Sequence, residues 1–186
     1  MRPLRSLLLA LTCVALLALP AAPSGAAGDI EDYPSYQPAT RCTPKAKPGA
    51  VELGRWLQDE YGGGSVSISR ACVGSTSEHT EGRAVDWSLD ARVKADRKTA
   101  RAFLDRLRAT DDAGNTDALA RRMGVMYVIW KDKIYSAWNS YDAEPYLSSG
   151  CASRKRCSAT LRHRDHVHVS LTRKAARGKT SWYRSH

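Results

Sequence analysis

The sequence lacks features that define several familiar classes of protein. Beyond residue 27 no apolar run is long enough to enter a bilayer, and no two cysteines have the CxxC spacing of zinc-cluster sites. No internal repeat or low-complexity block is present, and acidic residues are scarce, with 19 Asp and Glu against 29 Lys and Arg. These absences argue against a membrane-spanning protein, a zinc-cluster protein and a repeat protein.

Residues 1–27 have the composition of a secretory signal peptide. Two arginines precede an apolar stretch from about Leu7 to Leu19, and Ala26 or Ala27 suits the cleavage site. The apolar stretch is too short to span a bilayer, and Cys13 within it is expected to be removed. We therefore expect a secreted protein whose mature chain of roughly 160 residues forms one domain.

Four cysteines remain after the predicted leader, and an even number in an exported protein indicates two disulfides. Of the three possible pairings, we favour Cys42–Cys72 and Cys151–Cys157. The first would tie an N-terminal segment to the chain before residue 77, and the second would close the short basic loop CASRKRC.

The formal net charge is +10. Such an excess of positive charge implies an acidic partner, which could be nucleic acid, anionic lipid or a cell wall rich in carboxylates and phosphates. Charge alone does not choose among these partners.

The hydrophobic pattern predicts an α+β fold with a mostly antiparallel sheet flanked by helices. An extended arm at 28–48 precedes this pattern, and a basic tail at 173–186 without clear periodicity follows it. Arg97 is the one polar residue on the apolar stripe of the second predicted helix. In chain order, the predicted elements are a helix at 48–61, strands at 65–70 and 83–89, helices at 91–109 and 115–124, a hairpin at 125–138 turning at Lys131-Asp132, and a strand at 165–171.

One stretch, SEHTEGRAVDW at 77–87, carries two candidate metal ligands. His79 precedes the strand and Asp86 lies on it, while Gly82 allows the connection between them to turn tightly. Ala84 shares a strand face with Asp86, where a larger side chain would crowd an ion. This spacing directs two ligands toward one point.

The third ligand is predicted in RDHVHVS, near the other end of the chain. Residues two apart on a strand share a face, so His166 and His168 project together, and Asp165 could also reach the site. Three protein ligands and one open position are the requirements of catalytic zinc, which activates water and polarises a carbonyl group. These are the requirements of amide-bond hydrolysis.

Each of these residues also has an ordinary structural interpretation. A single histidine on a strand is usually structural or exposed, and we interpret His163 and His186 in that way. Asp86 can cap a turn and Ser77 can cap a loop. Because several good ligands share two segments with the correct facing, we favour a metal site. Trp130 and Trp138 are expected to pack in the core rather than to line a cleft.

The residues at 77–86 match Ser-x-His-x-x-Gly-x-Ala-x-Asp at every specified position. In this the chain resembles the D-Ala-D-Ala carboxypeptidase type of zinc peptidase, which shares a fold with lysostaphin-like peptidases and the hedgehog signalling domain. DHVHVS resembles the His-x-His element of that family, and MYVIW and KIYSAW are most similar to its small secreted actinobacterial-type members. The resemblance covers roughly residues 50–172, so we assign 49–172 to a zinc peptidase-like domain.

The resemblance implies an enzyme that cleaves peptide bonds in peptidoglycan stem peptides, as a carboxypeptidase or an endopeptidase. His79, Asp86 and His168 would hold Zn²⁺. The general base would be His166, with Asp165 as an alternative base or as the residue that orients it. Arg70 would meet a substrate carboxylate or oxyanion, and Ser77 would form hydrogen bonds near the site.

Two other functions remain as alternatives. One is a non-catalytic zinc-bearing module that binds the cell wall or a protein partner, as in the hedgehog domain. The other is a secreted metal-dependent nuclease, which we disfavour because common nuclease motifs are absent. We expect a monomer that binds no nucleic acid, does not span a membrane and associates with the cell wall.

Overall fold

The structure is a computed structural model that describes residues 30–74 and 76–185. The predicted signal peptide with Cys13 lies outside the described residues, and so does His186. Within the described ranges, no helix is both long enough and apolar enough to cross a membrane.

The centre of the fold is a six-stranded sheet in which every pair of neighbours is antiparallel. The spatial order is β1-β2-β6-β3-β4-β5, so the last strand of the chain enters the middle of the sheet. The strands are β1 Val66–Ser67, β2 Ala84–Trp87, β3 Val125–Trp130, β4 Lys133–Ser136, β5 Ala143–Pro145 and β6 Val167–Leu171.

Helices accompany this sheet, which confirms the predicted α+β class with a mostly antiparallel sheet. The first three helices match the predicted ones, and Pro48 occupies the first turn of α1, where its missing N–H costs no hydrogen bond. The helices are α1 Pro48–Tyr61, α2 Lys94–Leu107, α3 Ala118–Met123, α4 Arg173–Ala176 and α5 Ser181–Arg184, with single 3₁₀ turns at Ala137–Asn139 and Arg154–Arg156.

The two faces of the sheet have different roles. On one face Val85 and Trp87 of β2 lie beside Val167 and Val169 of β6, and the main hydrophobic core with Phe103 of α2 forms there. Because side chains alternate along a strand, the residues between them project to the opposite face. Asp86 and His168 therefore share that second face.

The β3–β4 hairpin turns where the sequence predicts it. Lys131 and Asp132 both have positive φ angles, of 50° and 64°. This conformation at two central residues matches the right-handed twist of a hairpin. The structure therefore confirms the predicted turn.

Two predicted strands are shorter than expected. The segment at 65–70 pairs only at Val66–Ser67, and β6 begins at Val167, after both Asp165 and His166. Strand β5 was not predicted, because its three residues are exposed and include Pro145. It pairs only with β4 at the edge of the sheet.

The segment expected as a basic tail forms α4 and α5. Ala175, Ala176 and Trp182 are buried in the main core, and the ring of Trp182 lies 5.7 Å from that of Trp56 in α1. This segment has few apolar residues among many basic ones, so its sequence shows no helical periodicity of hydrophobic residues. The burial of the apolar residues depends on packing against α1.

Both predicted disulfides are present. Cys42 bonds to Cys72 with a Cα–Cα distance of 5.7 Å, and Cys151 bonds to Cys157 with a distance of 5.3 Å. The first bond fixes the extended N-terminal arm beside the segment that leads to His79. Disulfides are compatible with an exported protein.

Candidate metal centre

His79, Asp86 and His168 converge on one point. The Nε2 atom of His79 lies 3.1 Å from Oδ1 of Asp86 and 3.2 Å from Nδ1 of His168, and that Nδ1 lies 2.9 Å from the same carboxylate oxygen. The three atoms thus form a nearly equilateral triangle among buried side chains. The structure brings together the three residues that the sequence predicts as ligands.

Sheet register places two corners of this triangle. Asp86 of β2 is the Cα partner of His168 of β6, so their side chains are direct cross-strand neighbours on one face. The two residues are 82 positions apart in the chain. Antiparallel pairing of β2 with β6 is therefore the physical reason that the two motifs meet.

A tight turn places the third corner. Ser77 and Thr80 are bonded to each other, with the Ser77 amide donating to the Thr80 hydroxyl at 2.8 Å. Gly82 has a φ of +67°, and a Cβ there would come within 2.1 Å of the Lys45 carbonyl oxygen. Only glycine fits this combination of positive φ and close backbone approach. The turn thereby directs His79 back over β2.

Hydrogen bonds from outside the triangle fix the two imidazole rings. Nδ1 of His79 lies 2.7 Å from the Ile68 carbonyl oxygen, and Nε2 of His168 lies 3.3 Å from the Ser170 hydroxyl. Because a carbonyl only accepts, His79 must donate through Nδ1, and its neutral ring then carries a lone pair on Nε2. That lone pair faces a carboxylate and a second imidazole. In that tautomer the three facing atoms could share a cation.

The triangle fits a tetrahedral metal ion. Two ligand atoms that are each about 2.0–2.1 Å from one tetrahedral zinc ion lie roughly 3.3 Å apart. The observed separations of 2.9–3.2 Å are close to this value. Two imidazole nitrogens and one carboxylate oxygen could therefore hold a divalent metal ion.

The surroundings keep both ligand types in their binding forms. Burial raises the pKa of Asp86, but its hydrogen bonds with His168 and His79 outweigh burial and hold the pKa well below its usual range. Burial lowers the pKa of His168, and Asp86 only partly opposes this effect. An ionised carboxylate and a neutral imidazole are the forms that bind metal.

His166 lies beside the triangle with Asp165 behind it. Nδ1 of His166 is 2.7 Å from an Asp165 carboxylate oxygen, and Nε2 is 3.5 Å from Oδ1 of Asp86. Asp165 also accepts a hydrogen bond from the Thr160 hydroxyl at 2.5 Å. The imidazole therefore faces the site, while the carboxylate of Asp165 holds the ring from the outer side.

The two remaining predicted residues differ in their distance from the triangle. Arg70 donates to Oδ2 of Asp86 at 2.6 Å, and its side chain is 56% exposed, so it links the site to the surface. The Ser77 hydroxyl accepts a hydrogen bond from the Thr80 amide, so Ser77 caps the turn. Asp86 thus uses one oxygen in the triangle and the other for Arg70.

His163 is a residue that the sequence interpretation did not place at the site. Its ring lies 4.7 Å from His166 and 5.5 Å from His168, and its buried Nδ1 has no hydrogen-bond partner among the described residues. Burial, together with the nearby charges of His168 and His166, lowers the pKa of His163 to about 3. The available signal was the run HRDHVH, with three histidines in six residues.

Three aromatic side chains lead from the site to the surface, and we call them the aromatic wall: Tyr36, Tyr127 and Trp138. The Tyr127 ring stacks on His168 at 5.6 Å, Trp138 lies 6.1 Å from Tyr127, and Tyr36 lies 5.7 Å from Trp138. Trp138 is 50% exposed, so its expected core packing is wrong, whereas Trp130 is buried as expected. The aromatic neighbours of Trp138 come from distant segments of the chain, so the sequence did not reveal its surroundings.

Comparison with known protein families identifies one match. The model of the family described as VldE, C-terminal domain, matches residues 42–155. The chain belongs to this family. The part that matches the VldE C-terminal domain includes the turn with His79 and the β2 residue Asp86, whereas His168 lies beyond it. No curated protein and no solved structure matches the chain.

Proposed function

We propose that the protein is a secreted zinc peptidase that hydrolyses peptide bonds in peptidoglycan stem peptides. The observation that carries the proposal is the triangle of ligand atoms formed by His79, Asp86 and His168, with its separations of 2.9–3.2 Å. Three protein ligands of this kind leave a tetrahedral ion one open position, as in catalytic zinc sites. Zinc held there would supply Lewis-acid activation of water and of a substrate carbonyl.

His166 is the proposed general base and acid. Its Nε2 faces the triangle, and the bond from Nδ1 to Asp165 fixes the orientation of the ring. A nitrogen that can take a proton from water can later give it to the leaving amine. Asp165 is therefore a positioning residue.

Arg70 is proposed to bind the substrate. Its guanidinium is anchored on Asp86 while the side chain as a whole is more than half exposed, so further N–H groups would be available to a carboxylate or an oxyanion. The aromatic wall supplies a flat surface on the other side, next to His168. Arg70 and the aromatic wall would together hold an extended peptide across the ligand triangle.

The assignment to cell-wall peptide rests on sequence. The segments at 77–86 and 165–170 resemble those of D-Ala-D-Ala carboxypeptidase-type peptidases. The leader at 1–27 predicts export, and a net charge of +10, of which Arg2 and Arg5 of the leader supply +2, leaves an excess of positive charge that suits an anionic wall. Two disulfides are compatible with this location.

The proposal is tested by metal content and by digestion of defined peptidoglycan fragments. The wild-type protein should contain one zinc per chain and should lose activity with a chelator. His79→Ala and Asp86→Ala should contain no zinc and release no product by mass spectrometry. Asp142→Ala is the control, since that carboxylate is 74% exposed and its ion pair in the described part of the chain is with Arg108 rather than with a residue of the triangle.

Two results separate the alternatives. Retention of both metal and activity by His79→Ala and Asp86→Ala would refute the site. Zinc binding without turnover on any fragment, together with binding to wall, would instead identify a non-catalytic zinc-bearing module. The product masses show whether one terminal residue is removed or a cross-link is cut.

A further inference from the structure

A groove lies on the opposite side of the sheet from the candidate metal centre. Trp130 of β3 belongs to the main core, whereas its neighbour Ile129 pairs with His168 and points to the other face. Next to Trp130, a groove of about 500 Å³ lies between α2 and the β3–β4 hairpin. Neither the ligand triangle nor the aromatic wall contributes to its lining.

The lining of this basic groove is strongly cationic. Along one face of α2, Arg97, Arg101 and Leu104 occupy positions i, i+4 and i+7, and Arg108, which directly follows the helix, continues this face at i+11. Five cations line the groove and Asp105 is its one acidic residue; the cations are Arg97, Arg101, Arg108, Lys131 and Lys133.

Most of this charge is not neutralised within the described part of the chain. Arg108 pairs with Asp142, which is itself 74% exposed, and Arg97 donates to the carbonyl groups of Ala91 and Arg92. No ion pair is formed there by the exposed Arg101 and the two exposed hairpin residues, Lys131 and Lys133. Cations held together on low-dielectric walls focus a positive potential and attract anions.

We propose that the basic groove binds an anionic phosphodiester polymer that carries no bases. The groove residues of α2, together with Arg108 at its C-terminal end, extend from 97 to 108, about 16 Å along a helix axis, which suits several charges of a chain better than one small anion. Arginine guanidinium groups bind phosphate oxygens in a bidentate manner. Binding here requires neither the metal centre nor hydrolysis.

The aromatic residues of the groove argue against nucleic acid as the ligand. Single-stranded nucleic acid is bound through aromatic side chains on which bases stack, in addition to cations. In this groove Trp130 is buried and Tyr135 is only partly exposed. The walls therefore offer charge along a backbone but no open platform for a base.

The test compares two double charge reversals of equal size. Arg101→Glu with Lys133→Glu changes the groove, and Lys94→Glu with Lys98→Glu changes two exposed positions of α2 that do not line it. All four positions are exposed, so both variants should fold, which thermal unfolding verifies. Binding to linear poly(glycerol phosphate) is measured at low and physiological salt, with oligo(dT) and polyglutamate as competitors.

The groove variant should lose affinity for poly(glycerol phosphate) on the order of tenfold more than the control variant, and its binding should depend less on salt. Equal losses in the two variants would overturn the proposal, because general charge rather than the groove would be responsible. Tighter binding of oligo(dT) or of polyglutamate than of poly(glycerol phosphate) would also overturn it, by assigning the groove to a different ligand. Zinc content serves as an independent check and should be the same in both variants.

Discussion

Asp165 accepts a hydrogen bond from Nδ1 of His166 at 2.7 Å, and this bond turns Nε2 of the same ring toward Asp86. The carboxylate lies on the outer side of the ring and is 41% exposed, while the imidazole is largely buried. The geometry distinguishes the two residues that the sequence offers as general base. Within the proposed peptidase, this geometry would suit the imidazole as the base and the carboxylate as its orienting partner.

This relationship predicts different effects for the two residues. His166→Ala should lower kcat by about 10²–10⁴-fold, because it removes the proton acceptor. Asp165→Asn retains the size of the side chain and should lower kcat by about 10–100-fold, because the ring loses its anionic partner. Zinc content and KM should stay near wild-type values in both variants. An Asp165→Asn enzyme as inactive as His166→Ala would indicate that Asp165 is itself the base.

Gly82 is predicted to control metal affinity without touching the metal. Its φ of +67° costs any other residue roughly 1–2 kcal/mol, and a Cβ would in addition come within 2.1 Å of the Lys45 carbonyl oxygen. Gly82→Ala should therefore displace the turn that carries His79 and weaken zinc binding, as measured by competition with a chromogenic chelator.

Gly114→Ala is the matched control for this prediction. Gly114 has a φ of +83°, and nothing lies within 4 Å of a Cβ added there. The Gly114→Ala variant should have an unfolding free energy lower by the same roughly 1–2 kcal/mol. Its zinc affinity should equal that of the wild type. Equal zinc affinity in the Gly82 and Gly114 variants would contradict the positioning role of the turn.

The two disulfides should differ in their contributions to stability. Cys42–Cys72 closes a sequence separation of 30 residues, and Cys151–Cys157 closes one of 6. The chain-entropy model gives about 3–4 kcal/mol for the first and about 2 kcal/mol for the second. Paired Cys→Ser variants, unfolded in urea, should show this order. The reverse order would mean that the N-terminal arm remains attached without its covalent bond.

Asp132 should make the stability of the protein dependent on pH. The Arg162 guanidinium, at 2.7 Å, lowers the pKa of Asp132, and Arg164 adds to the effect. A lowered pKa in the folded state stabilises the protein above the unfolded value of about 3.9. This stabilisation is lost as the pH falls through the lower, folded-state pKa.

Asp132→Asn provides the measurement. Asparagine tolerates the φ of +64° at this turn position, so the substitution removes charge with little backbone strain. The variant should be about 1–2 kcal/mol less stable at pH 7. Its unfolding free energy should converge on that of the wild type as the pH falls through the folded-state pKa of Asp132. A difference that stays constant with pH would show that charge is not its origin.

Features that depend on near neighbours in the chain followed from the sequence. The hairpin turn at Lys131-Asp132 and the positive φ of Gly82 both arise from local backbone geometry. His166 faces the same site as His168, as alternation predicts, although it precedes β6. Both expected disulfides are present, and each joins the cysteines that are nearest to each other along the mature chain on its side of the sequence.

Burial, in contrast, depends on what packs opposite a residue. The surroundings of Trp138 are Tyr36 and Tyr127, from two separate segments, and they leave its ring half exposed. Trp182 is buried because α1 presents Trp56 to it, although its own segment is rich in charge. Neither environment is encoded by the residues adjacent in sequence.

The sequence by itself determined which side chains could bind a metal and on which face of each strand they project, because alternation along a strand is a local property. Only the tertiary structure decided that they meet. The placement of β6 between β2 and β3 makes Asp86 and His168 cross-strand neighbours, and it aligns His163 and the aromatic wall beside them. Strand order is fixed by the burial of the whole sheet, to which the main core contributes far more than the ligands do.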